Sequence, residues 1–227
     1  MALQNKKTLE VIKIPLKYQV ALDLMDSEKN LILEGKSSGK ILLLEQEAFY
    51  TSGLTSYAEN LLTYGSSIGG IPLIPSNRGG KITYHGPGQR VIYFILKLVE
   101  IVGSLDLRAF IEKLEKIVIM TLKAFGIEAQ GDRNYPGVWI QNHGRLDKIA
   151  ALGLKVSRGI TSHGLAINVN NSLEPFTLIE PCGIHPSFRG VTSLSQILGE
   201  TISLQEFDKI LIQSIKSILT FHEICEE

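Results

Sequence analysis

Two long runs of strand-forming residues, LDKIAALGLKVS (146–157) and ITSHGLAINVN (160–170), are separated only by Arg158 and Gly159. A link this short joins antiparallel neighbours, because a parallel return needs a crossover of a dozen or more residues. A second pair of β-branched and aromatic runs, KITYH (81–85) and RVIYFILKL (90–98), flanks GPGQ, where Pro and Gly supply turn dihedrals. Helical spacing of apolar residues predicts helices over 17–34, 106–125 and 203–222. Asp106 is placed to cap the second, and Gly126 to end it. Further strands are expected at 41–46 and 137–141, an extended edge or approach segment at 71–77, and one helical turn at 173–176. Strand runs and helix runs are grouped rather than strictly alternating. That pattern predicts an α+β fold, a mostly antiparallel sheet with packed helices, formed as one domain over residues 1–227.

A chain of 227 residues that is 44% hydrophobic and 20% charged has the composition of a folded globular protein, not a disordered one. The longest apolar stretch, 91–103, is interrupted by Lys97 and Glu100, so no membrane span is expected. The N-terminal residues lack the pattern of a secretory signal, and a cytoplasmic location is expected. Net charge is zero, yet residues 78–173 carry 13 Lys and Arg against 7 Asp and Glu. This excess suits an acidic partner. It lacks the dense basic stripe with interleaved aromatics that nucleic-acid binding would call for.

The segment RGGKITYHGPGQ (78–89) concentrates four glycines with Arg78, Lys81 and His85. It fails the spacing of a phosphate loop, since Gly80-Lys81 is followed by Ile82 rather than Ser or Thr. It also fails the dinucleotide fingerprint, because Val91 stands where a third glycine is needed. No histidine pair has metal-ligand spacing, and no metal is expected. Paired glycines ahead of a strand do allow a ligand close to the backbone N–H groups, which points to a binding wall. A second candidate is Cys182, set between Pro181 and Gly183. A thiol near its reference pKa is about 3% thiolate at pH 7, so a nucleophilic role needs a cation nearby. Lys148, Lys155, Arg158, His85 and His163 are the candidates. Lys148 on a strand would share a face with Ala150 and Leu152. Cys225, in a polar tail, has no such setting.

Together these segments resemble the lipoyl(octanoyl) transferases. The family signature Arg-Gly-Gly-x-x-Thr-(Phe/Tyr)-His-x-x-Gly-Gln is met in full by residues 78–89, and KIAALG (148–153), HGLAIN (163–168) and PCG (181–183) match its other segments. The resemblance runs from about residue 17 to 222. It implies a biotin/lipoate protein ligase-like fold and transfer of an octanoyl group from acyl carrier protein to a lysine of a lipoyl domain. Acceptors of the family are the lipoyl domains of 2-oxoacid dehydrogenases and the glycine cleavage H protein. By that resemblance Cys182 is the nucleophile that forms an acyl-thioester, and Lys148 lowers its pKa and acts as acid and base. Arg78, Gly79, Gly80, Lys81, Ile82, Thr83, Tyr84 and His85 would form one wall of the acyl site. Ala151, Leu152 and Gly153, with Gly164, Leu165 and Ala166, would form the others. No cofactor is implied.

One region departs from the family. Where relatives often read His-Pro-Pro-Val-Tyr-Thr-Leu-Gly, this chain reads QEAFYTSGL (46–54), which keeps Thr51 and Gly53 but lacks the prolines. The rival on the same fold is an ATP-dependent lipoate or biotin protein ligase, which activates its acid as an adenylate and needs no cysteine nucleophile. A cysteine hydrolase and a non-enzymatic carrier-binding module are the remaining alternatives.

Overall fold

The computed structural model describes residues 8–13, 17–181, 189–219 and 223–226. The chain begins with β1 (Thr8–Lys13), α1 (Tyr18–Leu33), β2 (Lys40–Leu44) and β3 (Phe49–Gly53). It continues through α2 (Leu54–Tyr64), β4 (Ser67–Ile68), β5 (Ile71–Ser76), β6 (Thr83–His85) and β7 (Gln89–Ile95). Next come α3 (Leu98–Val102), α4 (Leu107–Ala124), β8 (Gln130–Gly131), β9 (Gly137–Asn142), β10 (Arg145–Ser157) and β11 (Ile160–Asn168). A short 3-10 turn at Glu174–Leu178 precedes β12 (Gly190–Val191), α5 (Leu194–Leu198), α6 (Leu204–Leu219) and β13 (Glu223–Glu226).

Among the described residues, nine strands form one sheet in the order β13-β1-β2-β7-β11-β10-β9-β8, with β12 paired to β10. Its central ladders, β2–β7–β11–β10–β9, are antiparallel, as the grouped sequence pattern predicts. A smaller sheet runs β4-β5-β3-β6, with β3 and β5 parallel. The hairpin expected around Arg158-Gly159 is present, with Ser157 opposite Ile160.

The runs ILLL and VIYFI are apolar without alternation because both faces of their strands are covered. Ile41, Leu43, Ile92 and Phe94 face a core built with α4 and α6. Leu42, Leu44, Val91, Tyr93 and Ile95 face a second core with Ala21, Met25 and Ile32 of α1. Helix α4 buries Phe110, Leu114, Val118 and Leu122, which recur every four residues in the sequence, and Ile117 beside them. The Asp106 carboxylate accepts from the backbone N–H groups of Arg108 and Ala109, at 2.9 and 3.1 Å. Asp106→Ala is therefore expected to cost about 1 kcal/mol. Urea unfolding should show a lower midpoint at unchanged slope, and an unchanged midpoint would deny the cap any role.

The two strands expected around GPGQ are both present, as β6 and β7. The turn itself forms: Gln89 N donates to Gly86 O at 3.1 Å, and Gly88 has φ +81°, the position-three conformation of a type II turn. The flanking strands do not pair with each other. β6 joins β3 in the smaller sheet, whereas β7 lies between β2 and β11 in the larger one. GPGQ is thus the corner where the chain passes from one sheet to the other. Likewise, 71–77 forms an inner strand rather than an edge, flanked by β4 and β3. Within it Pro72 stands opposite Ser67 of β4, and Pro75 opposite Ser52 of β3.

Candidate functional site

A cavity of about 360 Å³ is lined by residues of both sheets, with Tyr18 of α1 and Leu107 and Ile111 of α4 at its margins. Its walls come from three places. The loop after β5, with β6, supplies Arg78, Gly79, Gly80, Lys81, Thr83 and His85. β10 supplies Lys148 and Ala151 to Leu154, and β11 supplies His163 to Ala166. Thirteen of the residues expected at the site are therefore brought together. Ile82 and Tyr84 are not. The two-residue period of β6 turns them to the opposite face, where Tyr84 packs 5.5 Å from Tyr50 and edge-on to Phe176. Cys182 and Gly183 lie outside the described residues.

Gly79 is explained by close approach, since a Cβ there would lie 2.9 Å from Leu154 O, and Gly80 by its φ of +90°. Gly79 N donates to Leu154 O at 3.0 Å, which ties the loop to β10. A Cβ at Gly53 would lie 2.2 Å from Gly80 O, so the loop rests directly on the end of β3.

Arg78 clamps Thr51. Its Nη2 donates to Thr51 O at 2.7 Å and to Thr51 Oγ1 at 2.8 Å, and its Nε to Oγ1 at 3.1 Å. The same hydroxyl lies 3.2 Å from His85 Nε2, and His85 Nδ1 lies 2.9 Å from Gln89 Oε1. Gln89 Nε2 donates to Asn168 Oδ1, so its Oε1 faces the imidazole. His85 therefore carries its proton on Nδ1, and Thr51 donates to Nε2 while accepting from Arg78. Thr51 was visible in the sequence only as a remnant of the family outline. Its part in orienting Arg78 and His85 depends on β3 pairing with β6.

Burial, followed by the charge of Arg78, lowers the His85 pKa to about 4. Burial lowers that of His163 to about 3, with Arg78, Lys155 and Lys29 adding to it. His163 also has φ +58° in the middle of β11, and its ring meets Tyr93 edge-on at 5.4 Å. Both histidines are neutral in the folded protein above pH 5, while their unfolded counterparts protonate near pH 6.5. Stability is then fully present above pH 6.5 and is lost as pH falls towards the folded values. Each histidine is expected to cost about 2 kcal/mol at pH 5 relative to pH 7. Urea unfolding of the wild type and of His163→Gln at the two pH values tests this. An equal loss in both proteins would remove His163 from the account.

Lys148 is 7% exposed. Its Nζ donates to Pro136 O at 3.2 Å and sits 4.6 Å from the centroid of Trp139. The β9–β10 register shifts between Lys148 and Ala150. Such a bulge re-aims side chains relative to a regular strand. As a result Ala150 is fully buried in the core while Ala151 lines the cavity, which corrects the expected sharing of a face by Lys148 and Ala150. Gly137 has φ +145°, and a Cβ there would come within 3.0 Å of Lys148 Cε. The chain returns to this strand after residue 188: Val191 pairs with Lys148, and Thr192 N donates to Lys148 O at 3.0 Å. The Arg189 guanidinium lies over the rings of Tyr135 and Trp139, at 4.4 and 4.5 Å, so Trp139 is shared by two cations.

Several other cavity residues gave no sequence signal. Tyr18, Ser76, Tyr93, Leu107, Ile111 and Tyr135 come from five separate stretches and converge only through the packing of α1, α4 and the two sheets. The assembled chamber is lined largely by apolar and small side chains, with a buried ammonium at one wall and neutral imidazoles at another.

The family model described as the lipoyl protein ligase A/B catalytic domain matches residues 17–216. An octanoyltransferase of Rickettsia felis is 41% identical over 206 residues, covering 89% of this chain and 95% of that one. A crystal structure of lipoate-protein ligase A bound with ATP superposes with TM-score 0.69 at 14% identity, covering 96% of this chain and 87% of the other. Biotin protein ligase from Aquifex aeolicus gives TM-score 0.53 at 16% identity, covering 93% and 69%. The α+β fold of the ligases is thereby the fold of this chain.

Proposed function

We propose, from the premise that this chain belongs to the lipoyl protein ligase A/B catalytic domain family, that it is an octanoyltransferase acting as one catalytic domain. It takes an octanoyl group from acyl carrier protein and delivers it to a lysine of a lipoyl domain, including those of 2-oxoacid dehydrogenases and the glycine cleavage H protein. The observation that carries this reading is a buried ammonium, Lys148, at the wall of an apolar cavity. The strand that bears it is rejoined by the chain just after the Pro-Cys-Gly segment.

In this reading Cys182 thiolate attacks the carbonyl carbon of the octanoyl thioester. The bond from that carbon to the pantetheine sulfur breaks, and the Lys148 ammonium donates a proton to the departing sulfur. The products are octanoyl-Cys182 and a free pantetheine thiol. In the second step neutral Lys148 takes a proton from the acceptor amine as that amine attacks the acyl-enzyme. An amide forms, Cys182 leaves as thiolate, and the starting pair is restored. Splitting the transfer is favourable because a thioester remains activated towards amines. Burying eight carbons contributes several kcal/mol of binding, at about 0.8 kcal/mol per methylene. Among the described residues no helix is long and apolar enough to cross a membrane, which accords with action in the cytoplasm on soluble protein substrates.

Intact mass after incubation with octanoyl-carrier protein tests the reading. One octanoyl adduct is expected, absent in Cys182→Ser and retained in Cys225→Ser. Cys225 sits on β13 at the far edge of the large sheet from β10, so it serves as the control. An adduct on Cys225, no adduct at all, or a strict requirement for ATP would overturn the assignment.

A further inference from the structure

Behind the Lys148 wall lies a carboxylate that the transfer chemistry does not use. Glu115 sits on the buried side of α4 and is 8% exposed. Its Oε1 accepts from Gly137 N at 2.9 Å. That N–H belongs to the same peptide unit as Pro136 O, the acceptor of the Lys148 ammonium at 3.2 Å. A single peptide group therefore runs from a buried cation at its oxygen to a buried carboxylate at its nitrogen. Hydrogen bonds in such a chain polarise one another, and both are charge-assisted.

We propose that Glu115 is the positioning residue of Lys148, acting through the Pro136–Gly137 peptide. The carboxylate pulls on the N–H, enriches the carbonyl oxygen in negative charge, and so fixes the ammonium at the cavity wall.

Two further observations fit. Gly137 has a backbone conformation that L side chains avoid, and a Cβ there would lie 2.8 Å from Ala150 O and 3.0 Å from Lys148 Cε, so a side chain at this position would meet backbone and crowd the lysine. The charged groups around Glu115 also act on it in opposite directions. Burial raises its pKa most, Glu112 and Asp132 raise it further, and Gly137 N–H and Lys148 lower it. Asp132 is itself held by Arg189 at 2.6 Å.

This inference rests on the acyl-transfer reading, and its test separates the two. Acylation by a small octanoyl thioester is followed in wild type, Glu115→Gln, Lys148→Met and the double variant. Glutamine keeps an acceptor oxygen for Gly137 N–H and removes the charge. E115Q should lower the maximal acylation rate about tenfold with KM within about twofold of wild type. In the Lys148→Met background the same change should alter the rate by less than about twofold, because the residue it acts through is gone. The Gly137 amide proton, read by NMR, should move upfield in Lys148→Met. That measurement stands even if E115Q folds poorly. An E115Q effect of equal size in both backgrounds, an unchanged E115Q rate, or an unmoved Gly137 resonance overturns the role of Glu115 alone. A wild-type chain that forms no octanoyl-cysteine overturns the acyl-transfer reading, and the role of Glu115 falls with it.

Discussion

Lys148→Met is expected to slow acyl-enzyme formation by about a thousandfold, the middle of the range for removing a general acid–base group. Methionine retains an unbranched stem of similar length beneath Trp139, so the packing at this 7% exposed position is largely preserved. What is lost is the proton for the departing sulfur and the cation that pairs with a thiolate. The second half-reaction should slow as well, because the same nitrogen removes the proton from the attacking amine. Single-turnover kinetics with octanoyl-carrier protein, then with a lipoyl domain, read the two steps separately. The melting temperature should stay within a few degrees of wild type. An adduct forming at the normal rate would show that another group activates the thiol.

Asp208→Asn should be the most destabilising conservative change away from the cavity. Arg90 on β7 and Asp208 on α6 form a two-point ion pair, Nε to Oδ1 at 2.8 Å and Nη2 to Oδ2 at 2.9 Å. Both side chains are buried, at 8% and 5% exposure. Burial pushes the Asp208 carboxyl pKa up even though Arg90 opposes it, so the pair costs desolvation that only intact geometry offsets. Removing the carboxylate charge strands the guanidinium between the sheet and the helix. Breaking such a pair costs about 3–5 kcal/mol. For a chain of this size that corresponds to a fall of roughly 10 °C in melting temperature. Calorimetry of Asp208→Asn beside Arg90→Met/Asp208→Leu provides the test. The apolar double variant should recover most of the loss, and a single variant as stable as wild type would show that the pair is not worth its burial.

The legibility of the chain differed from element to element. Helix α4 was readable because its amphipathic spacing, the Asp106 cap and Gly126 agree with one another, so local and tertiary preferences coincide. The β10–β11 hairpin was readable because a two-residue link leaves the strands no other partner. Strand β3 and helix α2 carry no comparable pattern, and Thr51 gains its place at the site only through tertiary contacts with Arg78 and His85. The turn at GPGQ fixes the direction of β6 and β7 but leaves their sheet membership open. A tight corner between two sheets and a hairpin have the same local sequence.

Sequence alone determined the α+β class, the family, and most walls of the cavity, because glycine pairs and a long signature impose backbone conformations that few arrangements satisfy. Tertiary structure decided which side chains meet. The pleat of β6 sends Thr83 and His85 into the cavity and Ile82 and Tyr84 away from it. The bulge in β10 separates Lys148 from Ala150, and the packing of α4 behind β9 sets Glu115 against the peptide that holds Lys148. Each of these depends on register or on contacts between residues distant along the chain, and a shift of one residue in a strand exchanges every inward side chain for an outward one.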